Sequence, residues 1–280
     1  MIYPRGKTRV VKRMLKKYFE FKNNPFDKDI PIDELYSAPS HEECGSRLEF
    51  AVKDKRFAVV TADSGVGKTT IIRQLTKKID RNKYLAYYIS DSALTPRNFY
   101  WEVLNQMGCI AKFYRGDAKR QMHKEIWQLI EEKGKTPVII VDEAHLLSRE
   151  MLEEIRFLLN FKMDSYNPLS LILVGQTELR DTLRKQVYEA ISQRVQVRYH
   201  LSPFERKETE GYIERHLNYA GRSRELFSDG AIDVIHEYTG GVSRKINNVC
   251  IGGLMHAVNR KKRVVDDHMI SFVIENEIEW

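Results

Sequence analysis

The amino-acid sequence predicts an α/β fold, with a three-layer αβα domain around a parallel five-stranded sheet and a C-terminal helical lid. Short apolar runs alternate with helix-period patterns as far as about residue 200. Such alternation is typical of strands and helices that build a parallel sheet. Beyond Ser202-Pro203-Phe204 the apolar spacing is helical throughout. We therefore expect a sheet domain at 23–201 and a helical domain at 202–280, preceded by a basic arm at 1–22.

The elements are predicted in chain order from apolar period and from proline and glycine boundaries. The predicted strands are 57–61, 84–90, 137–143, 169–174 and 195–200. The predicted helices of the first 201 residues are 11–21, 40–53, one that starts near 70, one from 95 to about 108, 117–133, 148–161 and 177–194. The predicted helices of the C-terminal domain are 205–219, 229–238, 243–260 and 266–277. Residues 1–10 lack periodicity, and we expect them to be disordered.

The loop at 62–69, with the sequence ADSGVGKT, lies between the first predicted strand and a predicted helix. A strand, a glycine-bearing loop and a helix in this order form a phosphate-binding P-loop. Backbone N–H groups of the loop and the helix N-terminus hold the phosphates. The residues expected to bind nucleotide here are Ser64, Gly65, Val66, Gly67, Lys68, Thr69 and Thr70. The simpler alternative is a turn without a ligand, which the Gly-Lys-Thr triplet at the correct place disfavours.

One position departs from the P-loop pattern. Ala62 stands where the first glycine usually is. Alanine is acceptable there if the backbone has a negative φ, because the penalty for a Cβ atom arises mainly at positive φ. We therefore expect a working P-loop.

The third predicted strand ends in two carboxylates, Asp142 and Glu143, and Asp142 comes 74 residues after Lys68. A P-loop ATPase needs one carboxylate in the Mg²⁺ shell and a group that orients the attacking water. We assign Asp142, together with the Thr69 hydroxyl, to Mg²⁺ and Glu143 to the water. The alternative for Asp142 is an N-capping residue that follows a strand.

The residues 142–145 spell Asp-Glu-Ala-His, which also occurs in helicases. Such helicases need two tandem nucleotide-type domains, and 280 residues with one P-loop leave no room for the second. His145 is then a helix-start residue that could link the nucleotide site to a neighbour. Gln176 ends the fourth strand and could reach the γ-phosphate or the water, unless it is an ordinary strand-end glutamine.

Several arginines are candidates for stabilising the negative charge that develops in the transition state of hydrolysis. Arg194 precedes the fifth strand and could enter a neighbouring subunit's site as an arginine finger. Arg184 and Arg198 are competitors for that role. Arg244 begins a helix of the predicted lid and could contact the phosphates, although a solvated arginine fits the spacing equally well.

Composition places the excess charge in the N-terminal arm. The net charge of the chain is +7. Residues 1–22 hold eight basic residues and one acidic residue, and the remaining chain holds 38 of each. A basic arm is typical of nucleic-acid contact, but it is equally typical of a solvated tail. The three cysteines form no CxxC pair, which argues against a metal site and suits a reducing cytoplasm. We find neither an apolar membrane span nor a secretory signal in the sequence.

Several motifs in order resemble the AAA+ ATPases of the ExeA type and the related transposon ATPase subunits of the TniB, TnsC and MuB group. They are NPF at 24–26, the P-loop, VDEAH at 141–145, ILVGQ at 172–176, the Gln-Arg pair at 193–194 and GVSRKINN at 241–248. The resemblance covers about residues 19–275. It implies ATP and Mg²⁺ at subunit interfaces and a homo-oligomer, either a ring or a helical filament with about six subunits per turn.

The resemblance also implies sequence-nonspecific contact with double-stranded DNA in the transposon members. In ring-forming relatives, residues that follow the second strand face the central channel. The candidate DNA-contacting residues are Arg97, Lys112, Arg115, Lys119 and Arg120 after that strand, and Arg9, Lys12 and Arg13 in the arm. A solvated loop is an equal alternative for 112–120.

The resemblance leaves two functions open. One is a bacterial cytoplasmic regulator of transposition that assembles on target DNA, recruits a transposase and is released on hydrolysis. The other is a secretion-type ATPase that assists assembly of an envelope complex. The absence of a membrane span and the basic arm favour the first. Glu143 argues against a third possibility, an adaptor that binds nucleotide without hydrolysis.

Overall fold

The structure, a computed structural model, describes residues 5–27, 29–91, 94–158, 166–222 and 224–278. The chain divides into two compact units. The sheet unit consists of Ser40–Ser64 and Lys68–Leu201, and the helical unit consists of Met1–Pro39, Gly65–Gly67 and Ser202–Trp280. Residues 23–39 therefore group with the C-terminal helices, whereas the sequence pattern assigned them to the sheet domain. The limits of separately folding domains stay a prediction.

The sheet has five strands in the order β2-β3-β4-β1-β5, and every pairing is parallel. The strands are β1 Phe57–Thr61, β2 Tyr84–Ile89, β3 Thr136–Val141, β4 Ser170–Gly175 and β5 Val197–His200. This confirms the predicted fold class. The register pairs Thr61 with Gly175 and Ile89 with Val141, so the carboxyl ends of neighbouring strands align. The residue after each strand therefore lies at one edge of the sheet.

The helices of the sheet unit precede β1, in the case of α2, or lie in the connections between strands. They are α2 Pro39–Lys53, α3 Lys68–Lys78, α4 Pro96–Gln106, α5 Arg115–Lys133, α6 Arg149–Leu158, α7 Thr177–Leu183 and α8 Glu189–Ser192. Local chemistry fixes two of their ends. The Thr95 hydroxyl accepts a hydrogen bond from the Asn98 N–H at 3.2 Å and caps α4. Gly134, with φ of 61°, ends α5 in the left-handed conformation that glycine adopts without strain.

One helix prediction in the sheet unit differs from the structure, and one reaches beyond the described residues. The single helix predicted at 177–194 is interrupted, because the backbone of Lys185 is extended with ψ of 140° and a one-turn helix follows at Gln186–Tyr188. Residues 159–161 of the helix predicted at 148–161 lie outside the described residues. No helix of the described residues is long and apolar enough to cross a membrane.

The helical unit contains α1 and the C-terminal helices. They are α1 Arg5–Phe19, α9 Arg206–Tyr219, α10 Asp229–Thr239, α11 Ser243–Asn259 and α12 Asp267–Val273. The prediction of disorder over residues 1–10 is wrong from Arg5 onward. Gly6 lowers helix stability by only about 1 kcal/mol relative to alanine. Leu15 and Phe19 of the same helix are buried in a core that they share with α9, α10 and α11, and this burial stabilises α1.

One side of the sheet carries a large apolar core. Strand residues at alternate positions, among them Val59, Ile89, Val141 and Leu173, pack with buried side chains of α4 to α8. Alternation follows from the two-residue period of a strand. The core holds β1, β3 and β4 in fixed positions, so the polar residues that follow these strands are positioned by rigid elements.

Candidate nucleotide-hydrolysis site

The loop between β1 and α3 has the backbone conformation that its glycines permit. Gly65 has φ of 85° and Gly67 has φ of 123°, both in the region that residues with a Cβ atom rarely adopt. Ala62 is buried and is not among the residues with positive φ. The expected condition for alanine at this position is therefore met, and the missing glycine does not strain the loop.

Lys68 is the first residue of α3, and its side chain turns back into the loop. Its Nζ donates to the carbonyl oxygens of Ala62 at 2.8 Å and Asp63 at 3.0 Å. Only 9% of the residue is exposed, so a positive charge is held within the loop at the start of a helix. Both features favour an anion in this position.

The other predicted loop residues differ in exposure. Val66 is buried, whereas Ser64 and Thr69 are exposed and Thr70 is half-buried. The loop is also tied to the next strand end, because the Thr177 hydroxyl donates to Asp63 Oδ1 at 2.5 Å. An exposed Thr69 hydroxyl at the start of α3 is available to a metal ion.

Asp142 follows β3 at the carboxyl edge of the sheet. The residue is 5% exposed, and its carboxylate accepts from the Tyr88 hydroxyl at 2.5 Å and from the Glu143 N–H at 2.8 Å. Burial, together with the Asp142 carboxylate, raises the pKa of Tyr88 well above its ordinary value, so Tyr88 stays a donor at neutral pH. Sequence reasoning missed Tyr88. The signal that could have found it is the parallel pairing of β2 with β3, because this pairing places polar side chains near the end of β2 beside Asp142.

Glu143 has an unusual backbone conformation, with φ of 52° and ψ of 32°. A left-handed conformation is uncommon outside glycine and is often found at functional sites. The one-turn helix Ala144–Leu146 begins directly after it. The Glu143 side chain is 45% exposed, so its carboxylate can reach a water molecule.

Gln176 and His145 are neighbours. Their side-chain Nε2 atoms lie 2.9 Å apart, and the Gln176 backbone N–H faces His145 Nδ1 at 3.4 Å. His145 Nδ1 in turn lies 3.6 Å from Glu143 Oε2. The structure thus brings Glu143, His145 and Gln176 together beside Asp142. The sequence indicated Asp142, Glu143 and Gln176 as site residues, and His145 as the start of a helix that could link the site to a neighbour.

The predicted arginines have different surroundings. Arg194 is half-buried and donates to the backbone oxygen of Arg156 on α6 at 3.1 Å, whereas Arg184 and Arg198 are exposed. Within the helical unit, the exposed Arg244 donates from its backbone N–H to Gly65 O at 3.1 Å. The role of each arginine in hydrolysis stays a prediction.

The predicted DNA-contacting residues after β2 fall into two groups. Arg115 and Lys119 form ion pairs with Glu154 of α6, with Lys119 Nζ 2.8 Å from the carboxylate. Arg97 lies over the Phe113 ring at 4.2 Å from its centroid, and Lys112 is exposed.

Arg120 and the arm complete the set. Arg120 pairs with Asp117 at 2.6 Å, while on α1 Lys12 pairs with Asp27 and Arg13 is exposed. Arg9 belongs to α1, and its side chain lies outside the described residues. The contact with DNA stays a prediction for every one of these residues. Where a basic residue is in an ion pair, DNA phosphates would have to compete with a carboxylate of the protein for its positive charge.

The Glu154 ion pairs form a buried network. Glu154 is 4% exposed and also accepts a hydrogen bond from the Tyr100 hydroxyl. Burial alone would raise the pKa of this carboxyl, but the bonds from Lys119, Tyr100 and Arg115 outweigh burial and lower it to about 2. The network joins α4, α5 and α6 and was not predicted, because no sequence pattern pairs residues 35 or more positions apart.

The site fits a nucleotide with Mg²⁺ by the chemistry of its groups. Hard oxygen donors are available from the Thr69 hydroxyl and the Asp142 carboxylate, and Mg²⁺ in such sites binds one or two protein oxygens plus phosphate and water. The positive φ of Gly65 and Gly67 and the buried Lys68 ammonium suit a polyphosphate. Residues 51–183 match the family of AAA domains. This match and the assembled P-loop support ATPase activity.

Similar proteins agree with the fold. The chain is 29% identical over 255 residues to General secretion pathway protein A of Aeromonas hydrophila, covering 88% of this chain and 45% of that protein. The chain therefore spans less than half the length of this relative. The structure of Drosophila ORC bound to DNA aligns with a TM-score of 0.69 and 18% identity, over 93% of this chain and 65% of that one. The Aeropyrum pernix ORC2 protein aligns with a TM-score of 0.67 and 13% identity, over 91% and 72%. At these identities the two structures bear on the fold alone.

Proposed function

We propose that this chain is an ATP-dependent, DNA-binding regulator of transposition. It assembles as a homo-oligomer on target DNA with ATP bound, recruits a transposase and is released when ATP is hydrolysed. The ATP-dependent part is supported by the P-loop with its buried Lys68 after β1 and by Asp142 and Glu143 after β3, since the carboxyl ends of these parallel strands lie at the same edge of the sheet. The transposition part is supported by the motif resemblance to transposon ATPase subunits.

Each residue of the site has a role in hydrolysis. Lys68 and the loop N–H groups bind the β- and γ-phosphate oxygens, and Thr69 and Asp142 hold Mg²⁺. Mg²⁺, when bound, neutralises charge that develops on those oxygens. Glu143 orients the attacking water and accepts its proton, while Gln176 contacts the water or the γ-phosphate. Arg194 of a neighbouring subunit and Arg244 supply positive charge in the transition state.

DNA contact is assigned to the exposed basic and aromatic residues after β2. Lys112 is exposed next to the 69% exposed Phe113, whose ring stacks with Arg97. Basic groups interleaved with exposed aromatic rings are typical of nucleic-acid surfaces. Arg13 of α1 is a second candidate contact, since it is exposed and its neighbour Lys12 is paired with Asp27. These contacts would be to the phosphate backbone and therefore independent of sequence.

The second candidate function is that of a secretion-associated ATPase. It is favoured by the similarity to General secretion pathway protein A over 88% of this chain. In this case the same hydrolysis site would drive assembly of an envelope complex, and DNA would not be a ligand.

One experiment separates the two functions. Fluorescence anisotropy of a labelled DNA duplex is followed with the wild-type chain and either ATP, a non-hydrolysable ATP analogue or no nucleotide. We expect tight binding with the analogue, weak binding without nucleotide, and an affinity that falls steeply with salt. Equal, negligible binding under all three conditions would reject the DNA-dependent function in favour of the secretion-type one.

Two variants are the controls for this experiment. Lys68→Ala should lose nucleotide binding and, with it, the effect of the analogue on DNA binding. Glu143→Gln should bind ATP, hydrolyse it slowly and stay on DNA with ATP alone. Electron micrographs of the analogue complex should show rings or filaments on DNA, and their absence would contradict assembly on DNA.

A further inference from the structure

A cavity of about 250 Å³ lies in the sheet unit, between α7 and the edge strand β5. Its basic lining residues are Arg180, Arg184, Arg198 and His200. Among the described residues that line it, none is acidic. The P-loop and the carboxylates that follow β3 contribute no residue to its wall. The cavity therefore concentrates positive charge outside the groups assigned to nucleotide and Mg²⁺.

The basic side chains reach the cavity from two elements, because of the periods of a helix and a strand. Arg180 and Arg184 are four positions apart at the end of α7, so they lie on one face of that helix. Arg198 and His200 are two positions apart on β5, so they lie on one face of the sheet. Strand β1 pairs with β5 and places Thr61 beside His200. Two rigid elements thus present four basic groups to one space.

The Arg180 guanidinium has a donor that nothing satisfies. Its Nε–H is buried, and no acceptor among the described residues lies within hydrogen-bond distance. The carboxylate of Asp181 lies 3.7 Å from Nε, which is beyond that distance, and the Asp181 side chain is 58% exposed. A buried N–H group is nearly always bonded to protein, ordered water or an ion. An anion in the cavity is the kind of acceptor that this cationic donor needs.

The basic groups of β5 are held in position by neutral partners. Arg198 Nη2 donates to the backbone oxygen of Ser192 and, at 3.2 Å, to its hydroxyl. His200 Nδ1 lies 3.0 Å from Thr61 Oγ1. Burial and then the charge of Arg180 lower the pKa of His200, so its imidazole is neutral at pH 7 and has one N–H to donate. The arginine charges of the wall are thus not cancelled by these partners.

We infer that this cavity binds a phosphate group. A guanidinium matches the oxygens of a phosphate with two parallel N–H bonds, and three guanidinium groups suit a doubly charged anion better than a carboxylate. The volume is below the roughly 300–1,000 Å³ of sites for drug-sized ligands, so it suits one phosphate rather than a whole nucleotide. The phosphate is either free inorganic phosphate or a backbone phosphate of DNA. Only the second source rests on the proposed function.

The first test is calorimetric titration of inorganic phosphate at pH 7 and constant ionic strength. The Lys68→Ala chain is used, because its P-loop lacks the cation that would bind phosphate there. We expect saturable binding of one phosphate, which Arg180→Gln or Arg184→Gln, each added to Lys68→Ala, weakens by about 10-fold. Acetate should bind more weakly than phosphate, and equal affinity for acetate would overturn the assignment to phosphate.

Arg149→Gln is the matched control. Arg149 is an exposed arginine of the same unit, pairs with Glu153 at 2.9 Å and does not line the cavity. This variant should bind phosphate as Lys68→Ala alone does. A loss as large as that of Arg180→Gln would mean that general surface charge binds the anion, and the inference would fail.

The second test identifies the source of the phosphate. Anisotropy titrations of a DNA duplex with the ATP analogue are run on Arg180→Gln and Arg149→Gln in the otherwise wild-type chain. If a DNA phosphate occupies the cavity, Arg180→Gln should reduce the slope of log affinity against log salt by about 0.9, and Arg149→Gln should not. An unchanged slope together with calorimetric binding assigns the site to free phosphate.

The outcomes separate this inference from the proposed function. Absence of calorimetric binding together with an unchanged DNA slope in Arg180→Gln would overturn the inference while leaving DNA binding intact. If the chain does not bind DNA at all, the calorimetric titration alone decides, because it requires neither DNA nor ATP hydrolysis. If Arg180→Gln has a lowered melting temperature, Arg184→Gln decides, and unchanged phosphate affinity and DNA slope in that variant overturn the inference.

Discussion

Two tyrosine–carboxylate pairs of the sheet unit differ in a way that separates ligand binding from structure. The Tyr88 hydroxyl donates to Asp142 and the Tyr100 hydroxyl donates to Glu154, and both pairs are 54 residues apart in the chain. Asp142 and Glu154 are 5% and 4% exposed, so burial does not distinguish them. Their other partners do.

Asp142 accepts its second hydrogen bond from the neutral Glu143 N–H, whereas Glu154 is paired with two cations. The Glu154 charge is thus compensated within the protein. The Asp142 charge is held in place by neutral donors, an arrangement that suits a carboxylate meant for a metal ion. If Asp142 holds Mg²⁺ as we propose, it is charge compensation within the protein, rather than burial, that distinguishes its carboxylate from that of Glu154.

The largest expected effect comes from removing either of the two carboxylates proposed to act in hydrolysis, Asp142 and Glu143. Asp142→Asn and Glu143→Gln should each lower kcat for ATP hydrolysis by about 10³-fold, as loss of a group that stabilises the transition state does. The free energy of unfolding should stay within about 0.5 kcal/mol of the wild type in both variants, or rise in Asp142→Asn, because there a buried charge is removed, whereas the Glu143 side chain is 45% exposed. Phosphate release and urea unfolding measure the two quantities. A clearly destabilised Asp142→Asn would contradict the comparison.

Removal of the Glu154 charge should have the opposite result, a loss of stability without a loss of kcat. Its pKa is about 2 in the folded chain against an ordinary 4.5, so its contribution to stability is fully present above pH 4.5 and is lost as the pH falls toward 2. The difference of about 2.5 pKa values corresponds to roughly 3 kcal/mol. Glu154→Gln should lower the free energy of unfolding by about this amount at pH 7. The value of kcat per folded molecule should not change.

Urea unfolding as a function of pH checks the sign of this effect. The stability difference between wild type and Glu154→Gln should be constant from pH 7 to about pH 5 and then shrink. A difference that grows as the pH falls would show that Glu154 is not held ionised by Arg115 and Lys119.

The sequence predicted the parts of the site that local pattern determines. The P-loop at 62–69, the carboxylates after β3 and Gln176 after β4 all follow from the position of polar residues at strand ends. The same reasoning missed Tyr88, which depends on the register of β2 against β3, and Glu154, whose cations come from another helix. It also missed the start of α1 at Arg5, which depends on burial of Leu15 and Phe19 rather than on helix signals in the first ten residues.

Tyrosine variants at the two sites should have smaller effects and test the same comparison of Asp142 with Glu154. Tyr88→Phe should lower kcat by about 10-fold, because the Asp142 carboxylate loses the hydroxyl that orients it. Tyr100→Phe should leave kcat unchanged and lower the free energy of unfolding by about 2 kcal/mol, the usual range for a buried hydrogen bond to a charged group. Equal effects of the two variants on kcat would mean that the two carboxylates do not differ in role.

The smallest expected effect concerns the proposed DNA contact and two lysines seven positions apart. Lys112 is exposed, whereas Lys119 lies 2.8 Å from Glu154. If DNA phosphates bind only uncompensated charge, Lys112→Ala should reduce the slope of log affinity against log salt by about 0.9 in anisotropy titrations with the ATP analogue. Lys119→Ala should leave that slope unchanged and instead lower the melting temperature, because the buried Glu154 carboxylate loses a partner. A reduced slope in a fully folded Lys119→Ala would show that DNA competes with Glu154 for this lysine, and the ion-pair network would then belong to the DNA-binding surface.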